Sequence, residues 1–156
     1  MENTTKQKII NIIWSTLSVV FVALIANIFT QAGREWYDGL KTAGEWPPSF
    51  LFPIVWSIIY LLIGVSIFFM LNSGKMNKKM TTLLILNGVA NILWCLFFFT
   101  LNSTLGGLAT ILINLILSIL LVREIDKDKI LGYLLVLYPL WVSFATFLNL
   151  AVWILN

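Results

Sequence analysis

The sequence contains no histidine and only one cysteine, Cys95, among its 156 residues. No disulfide can form within the chain, and a zinc or haem site that uses histidine or several cysteines is excluded within one chain. A serine, histidine or cysteine catalytic triad also lacks its components. Charge is scarce as well: Asp, Glu, Lys and Arg make up 11% of the residues, whereas a soluble domain carries about 25%. So apolar a chain is expected to lie in a membrane.

The few charged residues fall in narrow clusters and leave four long uncharged stretches, at 9–33, 46–74, 80–122 and 130–156. About 20 apolar residues cross the hydrocarbon core as a helix, so three of these stretches each provide one span. The third stretch is long enough for two spans and divides at its polar, glycine-containing segment, 102–107. We therefore predict an all-α integral membrane bundle of five transmembrane helices in a single domain, 1–156. The helices are expected near 9–30, 48–72, 80–101, 105–122 and 130–154, with a pocket-covering loop at 31–47.

Basic residues are distributed unequally between the two ends of these helices. One face holds eight of the ten: Lys6, Lys8, Lys75, Lys78, Lys79, Arg123, Lys127 and Lys129. The other face holds only Arg34 and Lys41. Because basic loops tend to remain in the cytoplasm, we predict a cytoplasmic N-terminus, with the first loop and the C-terminus outside. These juxtamembrane residues account for the net charge of +3 without a nucleic-acid partner.

Aromatic and amide side chains form rows on three of the predicted helices. Residues four apart share a helix face, and the rows are Trp56 and Tyr60, then Asn87, Asn91 and Trp94, then Trp141, Ala145, Asn149 and Trp153. An unpaired amide in hydrocarbon costs several kcal/mol, so the rows should point inward, and so should Asn27 and Asn114. They would then either join helices or line a cavity for a flat, mostly apolar ligand.

Three further features bear on the function. No predicted span contains an acidic or basic residue, which argues against a proton relay or an ion pump. The aromatic, mixed-charge loop is either an interfacial belt or a lid. On the fourth helix, a stripe of small and polar residues forms either an internal contact or a dimer face: Gly106, Thr110, Asn114 and Ser118.

Several motifs, taken in order along the chain, resemble one known family. They are Trp36-Tyr37-x-x-Leu40, Pro47-Pro48, Phe52-Pro53-x-Val55-Trp56-x-x-x-Tyr60, Asn87-x-x-x-Asn91-x-x-Trp94-x-x-x-Phe98 and Tyr138-x-x-Trp141-Val142-x-Phe144-Ala145-x-x-Leu148-Asn149-x-x-x-Trp153-x-Leu155-Asn156. Together they resemble the TspO/MBR family of bacterial tryptophan-rich sensory proteins and the mitochondrial translocator protein, or peripheral benzodiazepine receptor. Two details depart from the family: residues 41–45 replace a common Lys-Pro, and Tyr138-Pro139 reverses a Pro-Tyr pair.

The resemblance implies a compact five-helix bundle, often a homodimer, in which the first loop covers a pocket for porphyrins, other tetrapyrroles or similar hydrophobic ligands. Together with the rows above, the resemblance designates twelve residues as ligand-binding. They are Tyr37, Pro47, Trp56, Tyr60, Asn87, Asn91, Trp94, Trp141, Phe144, Ala145, Leu148 and Asn149. Trp56 and Trp141 match positions linked in the family to light-dependent porphyrin breakdown, which makes them candidate catalytic residues. No metal and no cofactor are expected.

We interpret the chain as a membrane receptor or carrier for such ligands. The second hypothesis is an enzyme that degrades porphyrin oxidatively through tryptophan. The alternative is a structural or regulatory membrane protein without a tetrapyrrole ligand, in which the amides only join helices.

Overall fold

A computed structural model describes residues 4–42, 44, 47–125 and 129–156. These residues form seven helices and no strand: α1 Thr5–Ala32, α2 Arg34–Asp38, α3 Leu51–Asn72, α4 Lys78–Cys95, α5 Thr104–Ile125, α6 Lys129–Leu135 and α7 Leu137–Leu155. Five segments are long and apolar enough to cross a membrane: α1, α3, α4 with its extension to Thr100, α5, and 131–155. The predicted all-α architecture with five spans is confirmed.

The five long segments pack side by side and enclose two buried apolar clusters. α1 packs against α3 and α4, and α5 packs against α4 and α7. One cluster, around Trp94, Phe98 and Val142, lies toward the end of the bundle that carries α2, which we call the loop face. The other, around Met80 and Leu121, lies toward the end that carries Lys75 to Lys79, which we call the lysine face. Most other large apolar side chains point outward, as expected where the solvent is lipid.

The C-terminal end of α4 determines where α2 packs at the loop face. α4 continues from Leu96 to Thr100 as a π-helical turn, a feature that often occurs at functional sites. Thr100 Oγ1 donates a hydrogen bond of 3.0 Å to the carbonyl of Phe29 on α1. Gly33, between α1 and α2, lies so close to the Phe99 backbone that a Cβ added there would be 1.9 Å from its carbonyl oxygen. Because of this close approach, α2 packs against the end of α4.

The last span is interrupted next to Pro139. Proline has no N–H to donate to the carbonyl four residues earlier, which here belongs to Leu135. α6 ends at Leu135, Val136 forms a turn, and α7 begins at Leu137. The last span is therefore broken next to Pro139, and Tyr138 beside the break points into the bundle, where its side chain is buried.

The polar stripe of α5 faces the inside of the bundle. Asn114 and Ser118 are both 0% exposed, and the Tyr138 hydroxyl donates a hydrogen bond of 2.8 Å to Asn114 Oδ1. The sequence left two alternatives for this stripe, an internal contact and a dimer face. At Asn114 and Ser118 it is an internal contact, because both residues pack within one chain.

Candidate ligand-binding cavities

A cavity of about 420 Å³ lies between α1, α2, α3, α4 and α7 at the loop face. We call it the loop-face cavity. Its lining brings together eight of the twelve residues designated from the sequence: Tyr37, Trp56, Tyr60, Asn91, Trp94, Ala145, Leu148 and Asn149. They come from α2, α3, α4 and α7, so the separate aromatic and amide rows converge on one space.

One wall of the loop-face cavity is a run of aromatic rings. Trp56 lies 5.8 Å from Tyr60 and 5.9 Å from Trp94 between ring centroids, with interplanar angles near 30°. Trp94 is in turn stacked on Phe98 at 6.3 Å and 19°. Rings that are close to parallel present a broad π surface, the kind of surface on which a planar ligand packs well.

Amide side chains are held in place beside this wall. The Tyr60 hydroxyl donates to Asn91 Oδ1 at 2.7 Å, and Trp94 Nε1 donates to Asn149 Oδ1 at 3.2 Å. Asn149 Nδ2 donates back to the Ala145 carbonyl at 2.9 Å. These bonds satisfy the amide oxygens that hydrocarbon would otherwise leave unpaired, and they fix the orientation of both amides.

The mouth of the loop-face cavity carries charge. Arg34 and Asp38 of α2 line it, and their side chains form a long, exposed ion pair with 3.9 Å between Arg34 Nε and Asp38 Oδ2. Tyr37 lies below them and contacts Phe98 and Phe99. Burial, and to a lesser degree the charge of Asp38, raises the pKa of Tyr37 above its usual value of 10.0. Its hydroxyl therefore remains a neutral donor at physiological pH.

The loop beyond α2 is tied to the end of α7. Lys41 N donates to Asn156 Oδ1 and Asn156 Nδ2 donates to the Lys41 carbonyl, both at 3.0 Å. The predicted pocket-covering loop also includes Ala43, Glu45 and Trp46, which lie outside the described residues. The part that is described over the cavity is the short helix α2.

Three designated residues line neither this cavity nor the one described below: Pro47, Trp141 and Phe144. Trp141 is buried and contacts Phe144 and Phe52 at 5.6 Å. Phe52 does line the loop-face cavity, so it stands between Trp141 and that space. Trp141 Nε1 has no hydrogen-bond partner among the described residues.

The twelfth designated residue, Asn87, lines a second cavity of about 490 Å³ between α1, α3 and α4. This space lies toward the lysine face, and we call it the lysine-face cavity. Trp56, Tyr60 and Asn91 line both cavities. Asn87 therefore borders the lysine-face cavity alone, whereas Asn91, one helical turn further along α4, borders both.

Helix α1 contributes Asn27, an amide expected to point inward, and three residues that the sequence reasoning missed, namely Ala23, Ala26 and Thr30. Their spacing of three and four places small and polar side chains on one face of an otherwise bulky helix, a signal that could have been used. Phe52, Cys95 and Phe99 were also not designated, although they line the same cavity. Cys95 is buried in the adjoining cluster as well.

Within the described parts of the chain, no three acidic, histidine or cysteine side chains come together where they could hold a metal ion. The contacts that the loop-face cavity offers are aromatic faces, amides, hydroxyls and one ion pair at its mouth.

Five apolar spans around an aromatic, amide-lined cavity define a multi-pass integral membrane protein with an intramembrane pocket. The chain belongs to the TspO/MBR family, whose sequence pattern matches residues 14–154. It is 31% identical over 150 residues to the Tryptophan-rich protein TspO of Archaeoglobus fulgidus, covering 95% of this chain and 98% of the relative. It is 32% identical over 142 residues to the Tryptophan-rich protein TspO of Chlorobaculum tepidum, covering 86% and 89%. It is 34% identical over 126 residues to Protein CrtK of Rhodobacter capsulatus, covering 78% of each. The resemblance inferred from the motifs is confirmed.

Proposed function

We propose that this protein is a membrane receptor or carrier that binds porphyrins or similar flat hydrophobic ligands in the loop-face cavity. The observation that supports this most directly is the aromatic wall of Trp56, Trp94 and Phe98 beside the fixed amides of Asn91 and Asn149. A planar apolar ring with a few polar edges is the complement of such a surface.

The dimensions and chemistry of the cavity agree with such a ligand. Small-molecule pockets have volumes of about 300–1,000 Å³, and this one has about 420 Å³. Each aromatic contact contributes about 0.5–1.5 kcal/mol beyond the burial of area. A few such contacts and the burial of the ring therefore favour binding without a metal ligand from the protein.

The mouth of the cavity suits the acidic edge of a tetrapyrrole. Natural porphyrins carry carboxylate side chains, and Arg34 is the basic residue that lines the cavity. A guanidinium pairs with a carboxylate through parallel charge-assisted hydrogen bonds. The ring would lie against the aromatic wall while its carboxylates stay near Arg34 at the loop face.

Light-dependent oxidative breakdown of a bound porphyrin is a second candidate function. Trp56 favours it, because this oxidisable ring lines the cavity and contacts two others, Tyr60 and Trp94. The excited porphyrin would take an electron from the indole and pass it to dioxygen. The indole radical cation would then take an electron from the porphyrin, so that the porphyrin is oxidised, dioxygen is reduced and the indole is restored.

The alternative, a structural or regulatory role without a tetrapyrrole, also has support. Trp94 and Asn149 join α4 to α7 through their hydrogen bond, which is how an amide that only links helices would act. A homodimer in the bilayer is compatible with either role. The two functions differ in whether the loop-face cavity accepts a ligand.

Titration of the purified protein with protoporphyrin tests the proposal. We expect saturable quenching of tryptophan fluorescence, because Trp56 and Trp94 would contact the ring. Ala145→Phe should abolish it by filling the cavity, whereas Leu150→Phe, on the exposed side of the same helix, should leave it intact. Equal quenching by wild type and Ala145→Phe, with both folded, would contradict the proposed site. Absence of quenching in the wild type would favour the structural role.

A further inference from the structure

Helix α2 forms part of the wall of the loop-face cavity and is fixed at its N-terminal end. Arg34, Tyr37 and Asp38 of this helix line the cavity. Gly33, directly before the helix, lies against the Phe99 backbone with no room for a Cβ. Because this contact is made by backbone, it cannot yield as a flexible side chain would. The start of α2 is therefore the end that stays in place if the helix moves.

The segment that follows α2 is held by one side chain, the amide of Asn156 at the end of α7. Asn156 Oδ1 accepts a hydrogen bond from Lys41 N, and Asn156 Nδ2 donates to the Lys41 carbonyl, both at 3.0 Å. Asn156 Nδ2 also donates to the Val152 carbonyl at 2.8 Å, which keeps the amide in place on α7. Among the described residues, no other hydrogen bond joins 39–42 to a helix other than α2.

The Asn156 amide binds the main chain of Lys41 and not its side chain. It pairs with both the N–H and the C=O of one residue, as a residue on a neighbouring antiparallel strand does. A substitution at position 41 by any residue except proline therefore keeps both hydrogen bonds, whereas Asn156→Ala removes them. The two positions thus provide a matched pair of variants in which only one alters the contact.

The contact between Lys41 and Asn156 lies in an exposed position and can open. Both residues are exposed, so water replaces each hydrogen bond that breaks, and the net strength of each bond is small. Leu40, next to Lys41, packs against the apolar cluster of the loop face. This apolar contact favours the return of the segment to its place after each opening.

We propose that Asn156 is a latch on the loop-face cavity: it controls how often the C-terminal end of α2 moves away from α7, with Gly33 as the hinge. The inference rests on the proposed function, since it concerns the route by which the ligand of that cavity enters and leaves. The two hydrogen bonds hold the closed arrangement with or without a ligand. Their loss should therefore speed entry and exit equally and leave the affinity unchanged.

Cys95 allows the opening to be measured without a porphyrin. Its thiol is buried and lines the loop-face cavity, and a charged methanethiosulfonate reagent cannot reach it through hydrocarbon. In nanodiscs, Asn156→Ala should speed the labelling of Cys95 by about threefold to tenfold, the factor that one or two exposed hydrogen bonds give. Deuterium exchange of the Lys41 amide should accelerate by a similar factor.

The matched control for this measurement is Lys41→Ala, in high salt to screen the charge that it removes. It should be labelled at the wild-type rate, because its main chain still pairs with Asn156, and Cys95→Ser should not be labelled. Equal labelling rates for wild type and Asn156→Ala would refute the latch. Faster labelling of Lys41→Ala than of wild type would also refute it, because the side chain would then hold the segment.

Stopped-flow quenching of tryptophan fluorescence by protoporphyrin tests the consequence for the ligand. Asn156→Ala should raise the association and dissociation rates alike, by about threefold to tenfold, and keep Kd within about twofold of wild type. Faster dissociation alone, or unchanged rates, would refute the latch, because Asn156 would then shape the site or the ligand would enter elsewhere. Faster Cys95 labelling in Asn156→Ala without porphyrin binding by any of these proteins would support the latch and contradict the proposed ligand.

Discussion

The Tyr60 hydroxyl donates a hydrogen bond of 2.7 Å to Asn91 Oδ1 and thereby joins α3 to α4 where the two cavities meet. Both residues line both cavities. A second phenol–amide pair, Tyr138 and Asn114, has almost the same length, 2.8 Å, but Asn114 lines neither cavity. Replacing the amide of each pair therefore distinguishes the effect of losing a buried hydrogen bond from the effect of altering the wall of a cavity.

Asn91→Leu should weaken porphyrin binding by about fivefold or more while costing little stability, because intramembrane hydrogen bonds average about 0.6 kcal/mol. Asn114→Leu is the matched control. It should cost a similarly small amount of stability and leave porphyrin affinity unchanged, since Asn114 is fully buried and lines neither cavity. Fluorescence titration and thermal unfolding of both variants give the comparison. If the two variants lose affinity equally, the amides act only through the fold.

The two asparagines of α4 show how far sequence reasoning reaches. Spacing of four indicates a shared face, and Asn87 and Asn91 do both point inward. Periodicity cannot indicate that Tyr60 donates a hydrogen bond to Asn91, because that contact depends on how far α3 and α4 are shifted relative to each other along the bundle. The second cavity, one helical turn further along α4, could not be predicted for the same reason.

Trp56 and Trp141 show the same limit for aromatic residues. Both were predicted to face inward, and both do. Whether a buried ring lines a cavity or lies behind one depends on its neighbours, and Phe52 covers Trp141 but leaves Trp56 open. The number and nature of the spans, in contrast, followed from hydropathy alone, since the bilayer requires about 20 apolar residues for each helix.

Gly33→Ala should destabilise the protein strongly. The added Cβ would lie 1.9 Å from the Phe99 carbonyl oxygen and 2.3 Å from its carbon, so backbone has to move, and overpacking costs about 1–3 kcal/mol or more. Gly39→Ala, at the other end of α2, meets nothing closer than 3.5 Å and should be tolerated. Thermal unfolding of both variants decides the point. A Gly33→Ala protein as stable as wild type would mean that Gly33 does not lie this close to the Phe99 backbone.

Arg34→Gln should weaken binding of protoporphyrin by about threefold to tenfold, because an exposed, charge-assisted contact contributes about 1 kcal/mol. Protoporphyrin dimethyl ester, which lacks the carboxylates, should bind wild type and variant alike. Titration of both proteins with both ligands isolates the ionic contact, and raising the salt concentration should reduce the difference. An equal loss of affinity for acid and ester would show that Arg34 acts through the shape of the mouth and not through its charge.

The proposed orientation can be checked with single cysteines in a Cys95→Ser background. Ser73 and Thr42 are exposed at the lysine face and the loop face, and neither substitution changes the charge on which the orientation depends. On intact cells, a membrane-impermeant maleimide should label Thr42→Cys and should label Ser73→Cys only after the membrane is opened. The reverse pattern would place the lysine face outside.

Trp56→Phe should reduce light-dependent loss of bound porphyrin much more than it reduces affinity. The phenyl ring keeps most of the apolar contact, so affinity should fall by about tenfold or less, since 1.4 kcal/mol corresponds to a factor of ten. The indole that is readily oxidised would be gone from the cavity wall. Trp141→Phe should have the smaller effect on the photoreaction, because Phe52 separates that indole from the bound ring.

Trp153→Phe is the control for this series. The expectation that Trp153 faces inward with the rest of its row is wrong, because its side chain is exposed on the outward side of α7 and lines neither cavity. Bleaching of protoporphyrin under illumination, with and without dioxygen, gives the rates, and a dark titration gives the affinities. Equal rates for Trp56→Phe and Trp153→Phe would remove Trp56 from the reaction. A slower rate for Trp141→Phe than for Trp56→Phe would mean that Phe52 moves aside when the ligand binds, and Phe52→Ala should then speed the reaction by exposing Trp141 to the ring.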